Sequence, residues 1–105
     1  MKEEYKNCVM TTYFDDQKTD LSDCYVIFEN ERKDIQIYYR EDDYIVQYAG
    51  PEALPGHYEL TCIKGAEGKA SLHEVPISIA TNNILMVGMW KEGGRKGTWL
   101  IDLIK

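Results

Sequence analysis

The sequence is poor in the residue types that build metal sites and disulfide frameworks. It has only two histidines, His57 and His73, and three widely spaced cysteines, Cys8, Cys24 and Cys62. Neither histidine lies in a His-x-His pattern, and the odd cysteine set fits neither a disulfide framework nor a zinc pattern. We therefore expect reduced thiols that pack as small apolar side chains, no bound metal and no cofactor.

Motifs for nucleophilic catalysis are also missing. None of the serines lies in a Gly-x-Ser-x-Gly elbow. Cys62 and His73 are close enough along a predicted hairpin to be considered as a nucleophile pair, but no third orienting group or oxyanion site accompanies them. The glycine-rich segment 93–97 is followed by no helix, so it lacks the helix N-terminus of a phosphate-binding loop. The sequence predicts no catalytic residues and therefore a protein that is not an enzyme.

Long apolar runs and an excess of positive charge are absent as well. The longest apolar run, residues 84–90, is far shorter than the roughly 20 residues that span a bilayer, and the N-terminus lacks the apolar core of a signal peptide. Eighteen acidic residues against twelve basic ones give a net charge of −6. This charge argues against nucleic acid or an anionic membrane as a partner and suits a basic protein. We expect a cytoplasmic protein.

The sequence is rich in residues that favour β-strands. Eight tyrosines stand among many Val, Ile and Thr residues that alternate with polar ones, and alternate side chains of a strand point to opposite faces. Residues 8–14 are the first predicted strand and residues 15–23 a polar loop. Residues 24–49 read as a three-stranded meander whose first turn is at residues 30–32.

The second turn of this meander is predicted at Glu41 and Asp42. With these two residues as the turn, opposite charges, aromatic rings and aliphatic side chains meet across the strands, which supports the register. Glutamate is a poor residue for a type I′ turn, so a longer loop is the alternative. The predicted cross-strand pairs are Arg40 with Asp43, Tyr39 with Tyr44, Ile37 with Val46 and Gln36 with Gln47.

Residues 50–56 contain two prolines and two glycines, a composition that predicts a break between two halves of the sheet. Residues 57–64 and 69–75 form the next predicted hairpin. A bulge at Gly68 places Leu60 and Cys62 on the same face as Ala70 and Leu72. Residues 76–83 are a predicted connection with its turn at Asn82 and Asn83.

The last predicted hairpin has two apolar strands around Gly93 and Gly94. A two-residue turn sets Trp90 opposite Gly97 and Trp99 opposite Gly88, so that each indole covers a glycine. A four-residue turn instead sets Trp90 opposite Trp99. Both registers keep both tryptophans on one face, which we expect to be the core.

These strands predict an all-β protein. Strands joined by short loops are antiparallel neighbours. A long meander curls and closes, or splits into two sheets, because twist and exposed edges penalise a flat sheet. We expect residues 1–105 to form a single domain, an antiparallel meander of about eight strands in a closed or half-closed barrel.

A Gly-x-Trp sequence, Gly97-Thr98-Trp99, enters the last strand. It resembles the motif that opens the barrel in lipocalins and avidins. The resemblance covers these three residues and implies a small meander barrel of that general shape. No pocket residue of either family is carried over to this chain.

The first candidate surface is the half-polar face of the meander, which carries tyrosines rimmed by acidic residues. Tyrosine is enriched at protein interfaces because it gives a large, rigid contact area at low entropic cost. We therefore predict a non-enzymatic acidic binding protein that acts on a protein partner, in the manner of inhibitors and immunity proteins. The predicted partner-binding residues are Tyr25, Tyr38, Glu41, Asp42 and Asp43.

The alternative is a small ligand inside the barrel, because eight strands leave just enough room for side chains or one small ligand. The residues predicted to bind it are Trp90, Trp99 and Tyr39. A third hypothesis is a homo-oligomer, because the second face of the last hairpin is too apolar for plain solvent surface. Its contact would consist of Leu85, Val87, Met89 and Leu100.

Overall fold

The computed structural model describes residues 2–65, 67–78 and 83–103 and shows an antiparallel β-barrel. Each strand pairs with the next along the chain, and the last pairs with the first, so the predicted all-β meander is confirmed in its closed form. The strands are β1 (Glu3–Phe14), β2 (Gln17–Glu29), β3 (Asp34–Glu41), β4 (Tyr44–Leu54), β5 (His57–Lys64), β6 (Gly68–Ser78), β7 (Asn83–Glu92) and β8 (Arg95–Leu103).

Side chains fill the interior of this barrel. Alternation along the strands, interrupted by register shifts in β1 and β4, points one set of residues inward. In β3 the pattern is regular: Ile35, Ile37 and Tyr39 are buried and their neighbours are not. The largest fully buried side chains include Trp99, Tyr48, Tyr58, Phe28 and Met10. Filled interiors are the rule for eight-stranded barrels of this width.

The segment predicted as a polar loop, residues 15–23, is a hairpin instead. Only Asp15 and Asp16 form its turn, with φ of 49° and 61°, and Gln17 already pairs with Phe14. Two left-handed residues are what a tight type I′ turn requires, and aspartate tolerates that region better than most residues. The polar side chains beyond the turn lie on a solvated wall of the barrel. Their composition suits a loop equally well, so it did not reveal the strand.

The turn between β3 and β4 lies one residue later than predicted. Glu41 and Tyr44 are the last cross-strand pair, so the turn consists of Asp42 and Asp43. Asp42 has a φ of 52°. Aspartate adopts the left-handed region more readily than glutamate, which explains the shift. Each predicted partner is therefore displaced by two residues, so Tyr39 lies opposite Val46, and the inward and outward faces are unchanged.

The predicted break at residues 50–56 is also wrong. Strand β4 continues through Gly50 and Pro51 to Leu54, and Pro55 and Gly56 form the turn. Gly50 permits a very close approach of β5, because a Cβ at this position would lie 1.9 Å from the backbone oxygen of Glu59. Glycine at such a point lets the sheet bend tightly, which a barrel of this size needs.

Strands β5 and β6 have the predicted faces. Leu60 lies opposite Ala70; both are buried, as is Leu72, and Cys62 packs against this core. Strand β6 extends to Ser78, further than predicted. Of the predicted turn at Asn82 and Asn83, Asn82 lies outside the described residues, and the backbone at Asn83 begins β7.

The tryptophan hairpin has the two-residue turn and the register in which Trp90 opposes Gly97 and Trp99 opposes Gly88. The Trp90 ring covers Gly97, where a Cβ would lie 2.5 Å from the indole. At Gly88 the closest atoms belong to the β6 backbone, because a Cβ there would lie only 1.7 Å from the oxygen of Ser71. Gly88 is therefore a point of close strand approach as well as a partner of Trp99.

The end of the barrel at the β2–β3 turn is covered by Arg32. Its guanidinium lies 4.2 Å from the centre of the Phe28 ring, 2.8 Å from a Glu3 carboxylate oxygen and in an ion pair with Glu74. The backbone oxygen of Arg32 also accepts a hydrogen bond from the buried Tyr58 hydroxyl, at 2.7 Å. These contacts join β1, β2, β5 and β6 across one end and leave the other end as the place for a cavity.

Replacing Gly88 with alanine tests the close approach of β6 and β7. The added methyl group meets backbone atoms that cannot rotate away, so we expect Gly88→Ala to lower the free energy of unfolding by about 3 kcal/mol or more. Urea denaturation followed by circular dichroism measures the change. The matched control is Gly93→Asn, at a turn position with open space and φ of 52°, for which we expect a change within about 0.5 kcal/mol.

Candidate functional site

A cavity of about 340 Å³ lies at the end of the barrel opposite Arg32. The turns β1–β2, β3–β4 and β7–β8 meet at this end because alternate turns of a meander lie on the same side. We call this cavity the mouth. Its lining residues are Thr12, Phe14, Gln17, Thr19, Leu21, Tyr39, Glu41, Asp42, Trp90, Glu92, Arg95 and Trp99.

The floor of the mouth is aromatic. The three residues predicted to bind a small ligand, Tyr39, Trp90 and Trp99, all line it and are at most 8% exposed. Trp99 contacts Tyr39 edge to face, with ring centres 5.9 Å apart, and the Trp90 indole nitrogen donates a hydrogen bond of 3.0 Å to Thr12. Because these rings are held by packing and hydrogen bonding, the floor is a preformed surface.

Acidic groups outnumber basic ones around the mouth. Among the described residues, Glu41, Asp42 and Glu92 line it together with one cationic residue, Arg95. The Glu92 carboxylate accepts a hydrogen bond of 2.7 Å from the Tyr48 hydroxyl. The Arg95 guanidinium lies 5.7 Å from the centre of the Phe14 ring. The mouth thus carries an excess of negative charge beside a low-dielectric aromatic floor, where charges interact strongly.

The ionised form of Glu41 is disfavoured in the folded protein. Partial burial raises its pKa above the usual carboxyl value, and the negative charges of Glu92 and Asp42 raise it further, while Arg95 opposes this shift. The pKa of the Tyr48 hydroxyl is also raised, first by burial and then by its hydrogen bond to the negatively charged Glu92 carboxylate. A cation placed in the mouth would relieve this repulsion.

The residues predicted to bind a protein partner lie in two places. Glu41 and Asp42 line the mouth, and Asp43 is exposed at the same turn. Tyr25 and Tyr38 lie opposite each other on the outer wall of β2 and β3, with ring centres 5.5 Å apart. The structure therefore brings part of this set together with the predicted ligand residues and places the tyrosine pair on the adjoining wall.

Hydrogen bonds fix the tyrosine pair on the outer wall. The Tyr25 hydroxyl donates to Glu4 at 3.2 Å, and the Tyr38 hydroxyl donates to the Gln36 side-chain oxygen at 2.6 Å and accepts from Gln47 at 2.8 Å. This half-exposed surface is rigid, which suits an interface because little side-chain entropy is lost on binding.

The residues predicted to form a homo-oligomer contact lie together on the outer wall of β7 and β8. Val87 is opposite Leu100, and Met89 is 59% exposed. Leu85 lies on the same strand as Val87, opposite Val75 of β6, and Val9 and Tyr13 of β1 extend the apolar area on the β8 side. The oligomer itself stays a prediction.

The cysteines lie inside the barrel wall as free thiols. Cys8 and Cys24 are buried opposite each other, and their mutual hydrogen bond, with burial, raises the pKa of Cys24. Cys62 packs against the core, whereas His73 is exposed on a strand position of the opposite parity. Cys62 and His73 therefore do not form a pair, because the two side chains point to opposite faces of the sheet.

Sequence analysis did not predict several of the residues that line the mouth. Glu92 and Phe14 share the inward parity of Trp90 and Met10, so the alternation pattern contained a signal for both. The alternation pattern did not indicate Arg95, because the position of this residue at the mouth depends on how the turns meet in space.

Comparison with known protein families, curated proteins and solved structures found no match to this chain. Within the described ranges, no helix is long and apolar enough to cross a membrane. In the same part of the chain, no group of three or more histidine, cysteine, aspartate or glutamate residues is arranged to hold a metal ion. The geometry of the site is therefore the basis for the functional proposal.

Replacing Glu41 with glutamine tests the repulsion in the mouth. The folded pKa of Glu41 is raised, so its unfavourable contribution to folding is absent below the unfolded carboxyl pKa and fully present above the folded one. We expect Glu41→Gln to raise the melting temperature at about pH 7 and to leave it unchanged at about pH 3.5, below the ordinary glutamate pKa. Differential scanning calorimetry at both pH values measures this, and an equal gain at both would contradict it.

The matched control for this measurement is Glu31→Gln. Glu31 is exposed in the β2–β3 turn, at the opposite end of the barrel. We expect the Glu31→Gln variant to have the same melting temperature as the unmodified protein at both pH values, because an exposed carboxylate contributes little to stability.

Proposed function

We propose that this chain is a non-enzymatic binding protein that acts on a basic protein partner in the cytoplasm, as an inhibitor or immunity-type protein. In this proposal the mouth receives a cationic side chain of the partner. The observation that carries the proposal is that Glu41 and Glu92 line one cavity in which Arg95 is the one cationic residue within the described part of the chain.

The chemistry of the mouth suits a lysine or arginine side chain. A cation that enters is attracted by the carboxylates of Glu41 and Glu92 and by the faces of nearby aromatic rings. The pKa of Glu41 is raised first by burial and then by the charges of Glu92 and Asp42, and a bound positive charge would stabilise its ionised form. Functional sites commonly keep such unfavourable charge arrangements at the expense of stability.

The net charge of −6 supports the same partner class. An acidic protein attracts a basic partner over several ångströms and raises the association rate, an effect that salt screens. The neighbouring rings of Tyr25 and Tyr38, together with the exposed Asp43, would enlarge the contact beyond the mouth, since tyrosine and a charged rim are common in interfaces.

A second candidate function is the binding of a free small molecule. The volume of the mouth, about 340 Å³, lies at the lower end of the range for ligand pockets. Its floor is formed by Tyr39, Trp90 and Trp99. The same charges predict that such a ligand is a small organic cation with an apolar group.

A fluorescence titration separates these candidates. We expect a hexa-arginine peptide to change the emission of Trp90 in a saturable manner, and hexaglutamate to have no effect. Glu41→Gln and Glu92→Gln should each weaken hexa-arginine binding by about tenfold, equivalent to about 1.4 kcal/mol. Because the attraction is electrostatic, raising the salt concentration should weaken it further.

The control is again Glu31→Gln, which removes the same charge at the opposite end of the barrel and should leave binding within about twofold of the unmodified protein. Equal weakening by all three variants would mean that only net charge matters, and it would overturn the proposed role of the mouth. Benzyltrimethylammonium is the probe for the second candidate. Saturable binding of this ion without binding of the peptide would favour a small-molecule function.

A further inference from the structure

The two histidines of the chain meet on the outer wall of the barrel. His57 on β5 is the direct cross-strand partner of His73 on β6. Their Nδ1 atoms lie 2.7 Å apart, with ring centres separated by 4.2 Å. Both side chains point away from the core, because the inward positions next to them are Tyr58 and Leu72.

The second nitrogen of His57 has its own partners. Its Nε2 lies 3.2 Å from the Ser71 hydroxyl oxygen and 3.5 Å from a Glu59 carboxylate oxygen. A carboxylate accepts a proton but does not donate one when ionised, so it favours the tautomer with hydrogen on Nε2. The Nδ1 lone pair of His57 is then free to accept, and in the metal-free protein it accepts the hydrogen on Nδ1 of His73.

We propose that His57 and His73 form a binding site for a divalent first-row transition metal ion such as Zn²⁺, with the ion held between the two Nδ1 atoms. The ion takes the place of the hydrogen shared between these atoms; His73 loses that hydrogen from Nδ1 to solvent and takes one up from solvent at Nε2, so both imidazoles stay neutral. Ser71 and Glu59 act as the outer partners of His57, in the way that metal-binding histidines are normally oriented by a hydrogen bond from their other nitrogen.

The geometry requires only a small movement. At zinc–nitrogen distances of about 2.0–2.1 Å, two ligands of a tetrahedral ion lie roughly 3.3 Å apart, so the Nδ1 atoms need to separate by about 0.6 Å. His73 is exposed and has room to turn. The remaining coordination positions are open to solvent, beside a groove of about 530 Å³ that includes Glu59 and Ser71.

The chemistry of the ligands sets the class of metal. Two imidazoles suit Zn²⁺, Cu²⁺ and Ni²⁺, whereas Ca²⁺ and Mg²⁺ prefer oxygen ligands. Because the site has two protein ligands, we expect moderate affinity and exchange with chelators. It lies on the outer wall, so it is separate from the mouth and does not depend on the proposed binding of a basic partner.

Isothermal titration calorimetry with ZnCl₂ tests the proposal on the full chain. A Cys62→Ser background removes the partly exposed thiol as a competing ligand. In this background we expect one Zn²⁺ per chain, reversed by EDTA, and no comparable binding of Mg²⁺. His57→Ala and His73→Ala should each lower the affinity for Zn²⁺ at least tenfold. The double variant should bind Zn²⁺ with the same affinity as either single variant, because removing one histidine already destroys the chelate.

A matched control removes acidic residues elsewhere. Asp42→Asn combined with Asp43→Asn should leave the affinity for Zn²⁺ within about twofold of the background protein. Circular dichroism establishes that each variant is folded, and NMR of the imidazole rings provides a second readout, since both histidines should shift together as Zn²⁺ is added. Unchanged Zn²⁺ affinity in His73→Ala, or independent additive losses from the two histidine variants, would overturn the proposal.

Discussion

The pairing of β1 with β8 is the constraint on which the rest of the structure depends. It closes the sheet, leaves no unpaired edge among the eight strands and forces every strand to present one row of side chains inward. The enclosed space is filled by large side chains such as Tyr48, Tyr58 and Trp99. A ligand or partner group therefore has access only at an end or on the outer wall.

The two ends of the barrel differ in charge balance. At one end Arg32 is paired with Glu3 and Glu74 and lies over an aromatic ring, so its charge is compensated. At the other end Glu41 and Glu92 line the mouth, and of the described lining residues only Arg95 is cationic. Compensated charge is typical of structural contacts, whereas the excess at the mouth is of the kind found at binding sites.

The outer wall gains its specific features from cross-strand pairing. Tyr25 meets Tyr38 and His57 meets His73 only because neighbouring strands are aligned in one register. A shift of two residues would keep all these side chains outside the barrel but would separate both pairs. The close-approach glycines Gly50 and Gly88 let β5 lie tightly against β4 and β6 against β7, where the neighbouring backbone leaves no space for a side chain.

The sequence by itself determined which side chains lie inside, because alternation with a period of two is independent of register. It therefore predicted the tryptophan face as core and the residues Tyr39, Trp90 and Trp99 as neighbours. Turn positions were harder to predict, since left-handed aspartates at residues 15, 16 and 42 lie in stretches whose composition also suits loops. Only the tertiary structure decided that Glu41 and Glu92 share a cavity, because residues distant in sequence become neighbours only when the sheet closes.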